Sequence, residues 1–162
     1  AELDPKNAEE QYQLGNTLMR LKGDSASAVA PLQKAAALEP GNGQYAAGLG
    51  AALVGAQQFG QAIDVLTKLT AQPEYKKPDG FVSLGQAYVQ GKRYKEALPV
   101  LEKATTLAPD NAEAWATMGW AYFGLKDAAK FKESAGKART LGYKEPTLLD
   151  YLKKIEGGMT IK

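Results

Sequence analysis

The sequence contains neither cysteine nor histidine. Their absence excludes disulfide bonds, thiolate and imidazole metal sites, and catalytic triads built on a histidine base. No apolar run approaches the roughly 20 residues that span a bilayer, and no signal peptide is visible. The 20 basic and 18 acidic residues nearly cancel, so the net charge of +2 implies neither a polyanionic nor a polycationic partner. We expect a soluble protein without metal or cofactor, with the cytoplasm slightly favoured over the periplasm.

An apolar residue followed by glycine recurs along the chain with a constant period. Subtraction of the glycine numbers gives spacings of 35, 35 and 34 residues for Leu14-Gly15, Leu49-Gly50, Leu84-Gly85 and Met118-Gly119. A second set of positions is spaced by 34, 35 and 34 residues: Ala28, Ala62, Ala97 and Phe131. Two independent anchors that share one period predict an array of structural repeats.

Residues 78–109 form the best-defined unit of this array. Gly91 lies where a first helix should end, and Ala97, Leu101 and Ala104 mark one face of a second helix at spacings of four and three. A glycine on the inner side of the first helix removes the side chain that would hold the second helix away. Each such glycine costs about 1 kcal/mol of helix propensity, so close packing must return more than that.

The motif residues of the third and fourth units carry a family resemblance. They are Leu84-Gly85, Tyr88, Tyr94, Ala97, Leu101, Ala104 and Pro109, followed by Trp115, Met118-Gly119 and Tyr122. With them the chain resembles the tetratricopeptide repeat family over about residues 7–142. The resemblance implies an all-α fold, a right-handed α-solenoid of about four antiparallel helix-turn-helix repeats with a C-terminal capping helix. We assign the repeats to 7–40, 41–77 (degenerate), 78–109 and 110–142, the capping helix to 143–158, a preceding tail or linker to 1–6 and a frayed tail to 159–162.

Several segments depart from the family pattern. The first six residues look like the end of an earlier repeat, so we expect a fragment of a longer repeat protein. Asn7 is expected to cap the first helix, with Glu10 completing a capping box. The second unit is rich in alanine and glycine, and the usual aromatic seam is missing, although Tyr45 lies close by. In the fourth unit, Phe131 and Ala135 exchange the large and small positions of the pattern, which could conserve volume.

The resemblance places the first helices of the repeats on a concave surface. The inner positions are Tyr12, Asn16, Met19, Arg20, Ala47, Ala51, Val54, Val82, Gln86, Val89, Gln90, Ala116, Trp120 and Phe123. Exposed apolar grooves usually mark contact sites. Trp120 is the leading hot-spot candidate, with an expected cost of about 2 kcal/mol or more on truncation. In the alternative interpretation, Trp120 and Phe123 are covered by a neighbouring unit or by the final helix.

The carboxylate clamp known from this family is absent. Asn16 matches one clamp position, but Tyr12 and Gly48 stand where Lys and Asn would be needed. Asp79 and Ser83 stand where Lys and Arg would be needed in the third unit. We therefore do not expect chaperone-tail binding of that type.

A basic stretch follows the first helix of the fourth repeat. Only Asp127 and Glu133 oppose its six cations, which are Lys126, Lys130, Lys132, Lys137, Arg139 and Lys144. The stretch lies on an outward-facing second helix and lacks a nucleic-acid motif, which favours a solvated face over a site for nucleic acid or anionic lipid.

Together these features predict a non-catalytic protein–protein interaction module that binds a partner peptide or helix in its apolar concave groove. The alternative is a structural scaffold that self-associates through the groove or the repeat ends. No nucleophile–base pair or phosphate loop is apparent, so we expect no enzyme. Nor do we expect nucleic-acid binding or direct membrane insertion.

Overall fold

The computed structural model describes residues 5–161, except for the side chains of Pro5 and Lys22, and this range contains nine α-helices and no strand. The predicted all-α helical repeat fold is confirmed. The helices are α1 (Pro5–Lys22), α2 (Ser25–Leu38), α3 (Gly43–Gly55), α4 (Phe59–Thr70), α5 (Pro78–Gln90), α6 (Tyr94–Leu107), α7 (Ala112–Gly124), α8 (Ala128–Thr140) and α9 (Pro146–Glu156). None of these helices combines the length and the apolar character needed to cross a bilayer.

The start of α1 corrects one local prediction. Pro5 and Lys6 are already helical, so Asn7 lies inside α1 and is not its N-cap. Of the predicted tail at 1–6, residues 1–4 lie outside the described residues, and Pro5 and Lys6 belong to α1.

The chain divides into two compact units, residues 1–76 and residues 77–162. In the first unit, α1 packs on α2, α2 on α3, and α3 on α4. In the second unit, α5 packs on α6 and α7, α6 on α7, α7 on α8, and α8 on α9. Each unit therefore contains two consecutive helix hairpins, and the second also contains the final helix.

Close helix packing explains the recurring glycines. A Cβ atom at Gly15 would lie closer than 3.0 Å to the Leu32 side chain, and one at Gly50 equally close to Leu66. Both leucines are completely buried. Real Cβ atoms essentially never make such contacts, so a larger residue at either glycine would force the paired helices apart.

An aromatic side chain of α3 fills the contact between the second hairpin and the first. Tyr45 is 4% exposed and packs with Ala8 and Ala35. Its ring centroid lies 4.9 Å from that of Tyr12, and its hydroxyl donates a hydrogen bond of 2.9 Å to the Glu9 carboxylate. Burial, and then this hydrogen bond, raise the pKa of Tyr45 to about 12. The repeat pattern missed this residue because it lies five positions before the glycine of its unit, whereas Trp115 lies four positions before Gly119.

The final helix covers the end of the second unit. Leu148, Leu152 and Ile155 of α9 are buried in one cluster with Phe131 of α8, as the apolar stripe of α9 predicts. Ile161, which lies in the segment expected to fray, packs against the same cluster. Phe131, at the usual small position, is completely buried and supplies the apolar volume that α9 covers.

Candidate functional site

A cavity of about 310 Å³ opens on the second unit. We call it the α5–α7 cavity. Its lining consists of Val89 and Gln90 at the end of α5, Lys92 and Tyr94 at the turn into α6, and Trp120, Phe123 and Gly124 at the end of α7.

Four of the seven lining residues are inner-surface positions predicted from the sequence. These are Val89, Gln90, Trp120 and Phe123. Lys92 and Gly124 were not predicted from the sequence, because the turn and the helix end carry no motif residue there. Tyr94 was visible in the sequence, but only as a packing residue of the repeat.

Gly124 determines where the Tyr94 ring lies. A Cβ atom at position 124 would be closer than 3.0 Å to the Cε1, Cε2 and Cζ atoms of Tyr94. The absence of a side chain on Gly124 therefore lets the ring rest against the end of α7. This contact forms one wall of the α5–α7 cavity.

Trp120 and Phe123 form the aromatic wall of the cavity, and α9 supports it. Their ring centroids lie 5.7 Å apart with the rings edge to face. Tyr151 of α9 contacts both rings, at centroid distances of 5.9 Å to Trp120 and 4.7 Å to Phe123. Phe123 also meets the buried Phe131 at 5.5 Å. The final helix thus covers part of each ring, yet both side chains stay partly exposed and line the cavity.

Lys92 supplies the charge of the cavity. It is the one ionised residue among the described lining residues, it is exposed, and it makes no ion pair within residues 5–161. The next residue, Arg93, forms an ion pair with Glu96, since its Nε lies 3.0 Å from Glu96 Oε1. Its guanidinium carbon also lies 4.9 Å from the Tyr88 ring centroid. The hydrogen bond from Arg93 is the main cause of the lowered pKa of Glu96.

Three predicted inner positions lie in the core. Ala47, Val82 and Ala116 are 7%, 4% and 1% exposed, so they offer almost no surface to a partner. Ala116 belongs to the cluster around Phe131. By the helical period, these side chains share a face with the partly exposed inner residues four and seven positions further along the same helices, so the period does not reveal that they are covered. Gln86 remains partly exposed and donates a 2.7 Å hydrogen bond to Glu113.

In the first unit, the predicted residues lie on α1 and α3. Arg20 is exposed, whereas the others are partly exposed: Tyr12, Asn16, Met19, Ala51 and Val54. The Tyr12 ring lies over Gly48, since a Cβ there would be 2.9 Å from Tyr12 Cε2. Gln44 donates a 3.2 Å hydrogen bond to the Tyr12 hydroxyl. An aromatic ring therefore occupies the place where the family's carboxylate clamp would need a lysine beside an asparagine.

The basic stretch is partly used in packing on the chain itself. The Lys130 ammonium lies 5.3 Å from the Tyr122 ring centroid, and the Lys137 ammonium 5.9 Å from that of Trp115. Contacts of this kind contribute about 0.5–1 kcal/mol at exposed sites. Arg139 pairs with Glu156 at 3.2 Å. These cations are therefore partners of neighbouring side chains, as on a solvated outer face.

The carboxylates with shifted pKa values serve local structure. Hydrogen bonds from Gln13 and then Tyr45 lower the pKa of Glu9. A hydrogen bond from Thr147 lowers that of Glu145, which is the N-cap of α9. Within the described part of the chain, no three acidic side chains gather to hold a metal ion. Ionised, hydrogen-bonded carboxylates of this kind stabilise helices and are poor general acids at neutral pH.

Comparison with known proteins agrees with this architecture. Residues 85–126 match the family model described as "TPR repeat". No curated protein matches the chain. Among solved structures, MamA residues 41 to the end from Desulfovibrio magneticus RS-1 are 26% identical with a TM-score of 0.73, and the alignment covers 90% of this chain and 81% of that one.

Two further structures share the fold at lower identity. A thermophilic repeat protein of Thermus thermophilus is 21% identical with a TM-score of 0.78, covering 93% of this chain and 83% of that one. YrrB, described as having an unusual peptide-binding site, is 23% identical with a TM-score of 0.74, covering 93% and 76%. The chain thus matches the repeat family model at residues 85–126 and shares the helical repeat fold of these structures over most of its length.

Proposed function

We propose that this chain is a non-catalytic module that binds a peptide or helix of a partner protein in the α5–α7 cavity. Tetratricopeptide repeats are in general protein–protein interaction modules. The observation that carries the proposal is the aromatic wall of the cavity. Trp120 and Phe123 are held by Tyr151 and remain partly open to solvent.

The cavity has the properties of a preformed anchor site. Its volume of about 310 Å³ lies at the lower end of the range for ligand pockets, which suits one or two side chains of a peptide. Because edge-to-face contacts already restrict the two rings, binding would order few side chains and lose little conformational entropy. Partly exposed tryptophan in such a setting is the residue type most enriched among interface hot spots.

The two tryptophans of the chain provide a matched test. Both lie on α7, but Trp115 packs toward α6 and α8 and donates a 2.8 Å hydrogen bond to the Pro109 carbonyl. The probe is a pool of displayed random 12-residue peptides, from which wild-type binders are selected and resynthesised. We expect Trp120→Ala to weaken their binding about thirtyfold, the equivalent of about 2 kcal/mol.

Trp115→Ala is the control for this test. It should lower the melting temperature, because it removes a packed side chain, while binding below that temperature stays within about threefold of wild type. In a Trp115→Phe background, Trp120 is the remaining tryptophan, and its emission should shift when peptide binds. Equal losses of affinity in both alanine variants, or selected peptides that leave Trp120 emission unchanged, would contradict the proposal.

Self-association is the second candidate function, and one observation favours it. Leu14 and Leu21 of α1 are 50% and 79% exposed. The residues at the position of Leu14 in the later repeats are buried, with exposures of 7% for Leu49, 2% for Leu84 and 5% for Met118. The α1 face thus leaves uncovered a position that the other repeats bury.

Light-scattering mass across a concentration series separates the two candidates. Self-association through α1 predicts a mass that rises with concentration in the wild type and falls to that of a monomer in the double variant Leu14→Lys, Leu21→Lys. Self-association through the cavity predicts the same fall in Trp120→Ala instead. A monomer at all concentrations would leave the outside peptide as the occupant of the cavity.

A further inference from the structure

We infer that the α5–α7 cavity selects a partner segment in which a large apolar side chain is followed or preceded by Asp or Glu, with Lys92 pairing the carboxylate. The inference rests on the proposed function, since it names the chemistry of the peptide that the same cavity would hold. It goes beyond that function, because an aromatic wall alone has no preference for charge.

The charge balance of the cavity supports an acidic partner. Lys92 is the ionised lining residue, and no carboxylate lines the described cavity. The neighbouring Arg93 is already neutralised by Glu96. A peptide carboxylate would therefore meet an unpaired cation without a competing anion on the cavity wall, whereas a basic peptide would meet a like charge.

The backbone fixes Lys92 at the cavity rim. Its N–H donates a 3.0 Å hydrogen bond to the Val89 carbonyl, and the following N–H of Arg93 donates one of 2.8 Å to the Tyr88 carbonyl. Lys92 itself has a φ of 58°, in the left-handed region that closes the turn between α5 and α6. The base of the lysine side chain is thus held beside Val89, while its exposed ammonium can reach a ligand.

The remaining lining residues divide the cavity into an apolar part and a polar part. Tyr94, Trp120 and Phe123 supply aromatic surface for the anchor side chain. Gln90 lies at the exposed end of α5, and its amide has no hydrogen-bond partner among the described residues. An apolar anchor between the rings would therefore place its neighbouring residues near Gln90 and Lys92, which together offer hydrogen-bond donors to a carboxylate and a peptide carbonyl.

The expected charge effect is moderate and depends on salt. A solvent-exposed lysine–carboxylate pair changes affinity by about two- to fivefold. Screening shortens the range of such an interaction from about 10 Å at 0.1 M salt to about 3 Å at 1 M. The preference for acidic peptides should consequently shrink toward unity in high salt, whereas the contribution of the apolar anchor should remain.

The test uses three fluorescein-labelled synthetic 12-residue peptides that share a central Trp and differ only in its flanking residues, which are Glu, Gln or Lys. Binding is measured by anisotropy for the full chain and for Lys92→Gln, Lys92→Glu, Lys126→Gln and Trp120→Ala. Lys126 is the matched control, because it is an exposed lysine with a φ of 61° at the corresponding turn of the next hairpin and does not line the cavity. Thermal melts confirm that each variant is folded.

We expect the wild type to bind the Glu peptide about two- to fivefold tighter than the Gln peptide, and the Lys peptide most weakly. Lys92→Gln should remove this order, Lys92→Glu should reverse it, and Lys126→Gln should leave it unchanged. Tryptophan-dependent binding with no charge order, or an order lost equally in Lys126→Gln, would overturn the inference and leave the proposed function standing. If the wild type binds none of the three peptides, the inference fails, and the peptides selected from the random pool decide the proposed function. If the three peptides bind equally well to Trp120→Ala, both ideas fail.

Discussion

Replacing the repeat glycines by alanine tests how closely the paired helices approach. Gly85 and Gly119 occupy the same position in consecutive hairpins of the second unit. A Cβ atom at Gly85 would lie 2.6 Å from Cγ of Leu101, which is completely buried. A Cβ atom at Gly119 would lie 3.5 Å from the backbone nitrogen of Ala135 and 3.6 Å from its Cβ, which is ordinary van der Waals contact.

The magnitudes follow from two opposing effects. Alanine in place of glycine stabilises a helix interior by about 1 kcal/mol, and this gain is common to both sites. Overpacking of a filled core costs about 1–3 kcal/mol and applies to Gly85→Ala alone. We therefore expect Gly119→Ala to stabilise the protein by up to about 1 kcal/mol, and Gly85→Ala to be about 1–3 kcal/mol less stable than Gly119→Ala.

The measurement is urea unfolding followed by circular dichroism, with thermal melts in parallel. For a chain of this size, the difference corresponds to roughly 2–12 °C between the two melting temperatures. If Gly85→Ala is at least as stable as Gly119→Ala, the close approach of α5 to Leu101 is not what requires glycine, and the packing argument is refuted.

A double substitution separates the packing effect at position 85 from the effect of helix propensity. Leu101→Ala alone should cost about 2–5 kcal/mol by creating a cavity. In the presence of Leu101→Ala, however, the Gly85→Ala change should become favourable, because the atoms that it would meet are gone. The coupling energy between the two substitutions in this double-mutant cycle should be about 1–3 kcal/mol. Additive effects on the free energy of unfolding would contradict direct contact between the two sites.

Three further predictions follow from burial, backbone conformation and titration. Leu49→Ala should cost about 2–5 kcal/mol and Leu14→Ala less than 1 kcal/mol in urea unfolding, because Leu49 is 7% exposed and Leu14 50% exposed; equal costs would show that the α1 face is covered in solution. Gly23→Ala should cost about 1 kcal/mol or somewhat more in the same assay, since Gly23 has a φ of 60° and open space around it, so only backbone strain opposes the new Cβ. Because burial raises the pKa of Tyr45 to about 12 in the folded chain, the unfolded chain ionises first. Stability should then fall as pH rises from about 10 to 12, and Tyr45→Phe should flatten this fall relative to wild type in urea midpoints measured across that range; an unchanged slope would contradict the shift.

The repeat architecture could be read from the sequence because its determinants are local and periodic. The recurring apolar–glycine pairs mark where two helices must touch, and the structure places buried leucines against Gly15, Gly50 and Gly85. The exchange of Phe131 and Ala135 was also visible in the sequence, and its consequence is the looser contact at Gly119. Residue size at a fixed helical spacing carries this information without any knowledge of distant contacts.

The candidate site depended on the tertiary structure. Helical period alone could not separate the partly exposed Val89 and Trp120 from the buried Val82 and Ala116, because residues four or seven positions apart lie on the same helix face and differ only in the neighbours that cover them. The ring of Tyr94 enters the cavity wall only because Gly124, thirty positions further along the chain, leaves room for it.

Sequence by itself determined that this chain is a helical repeat, because packing within each hairpin is encoded in residues a few turns apart. Tertiary structure decided which of its surfaces could serve a partner. Three separated segments, at the ends of α5 and α7 and in the turn before α6, meet around one cavity, and α9 supports its aromatic wall through Tyr151. Exposure at such a place is a property of the assembled helices, since each side chain is covered or left open by neighbours that its own segment does not specify.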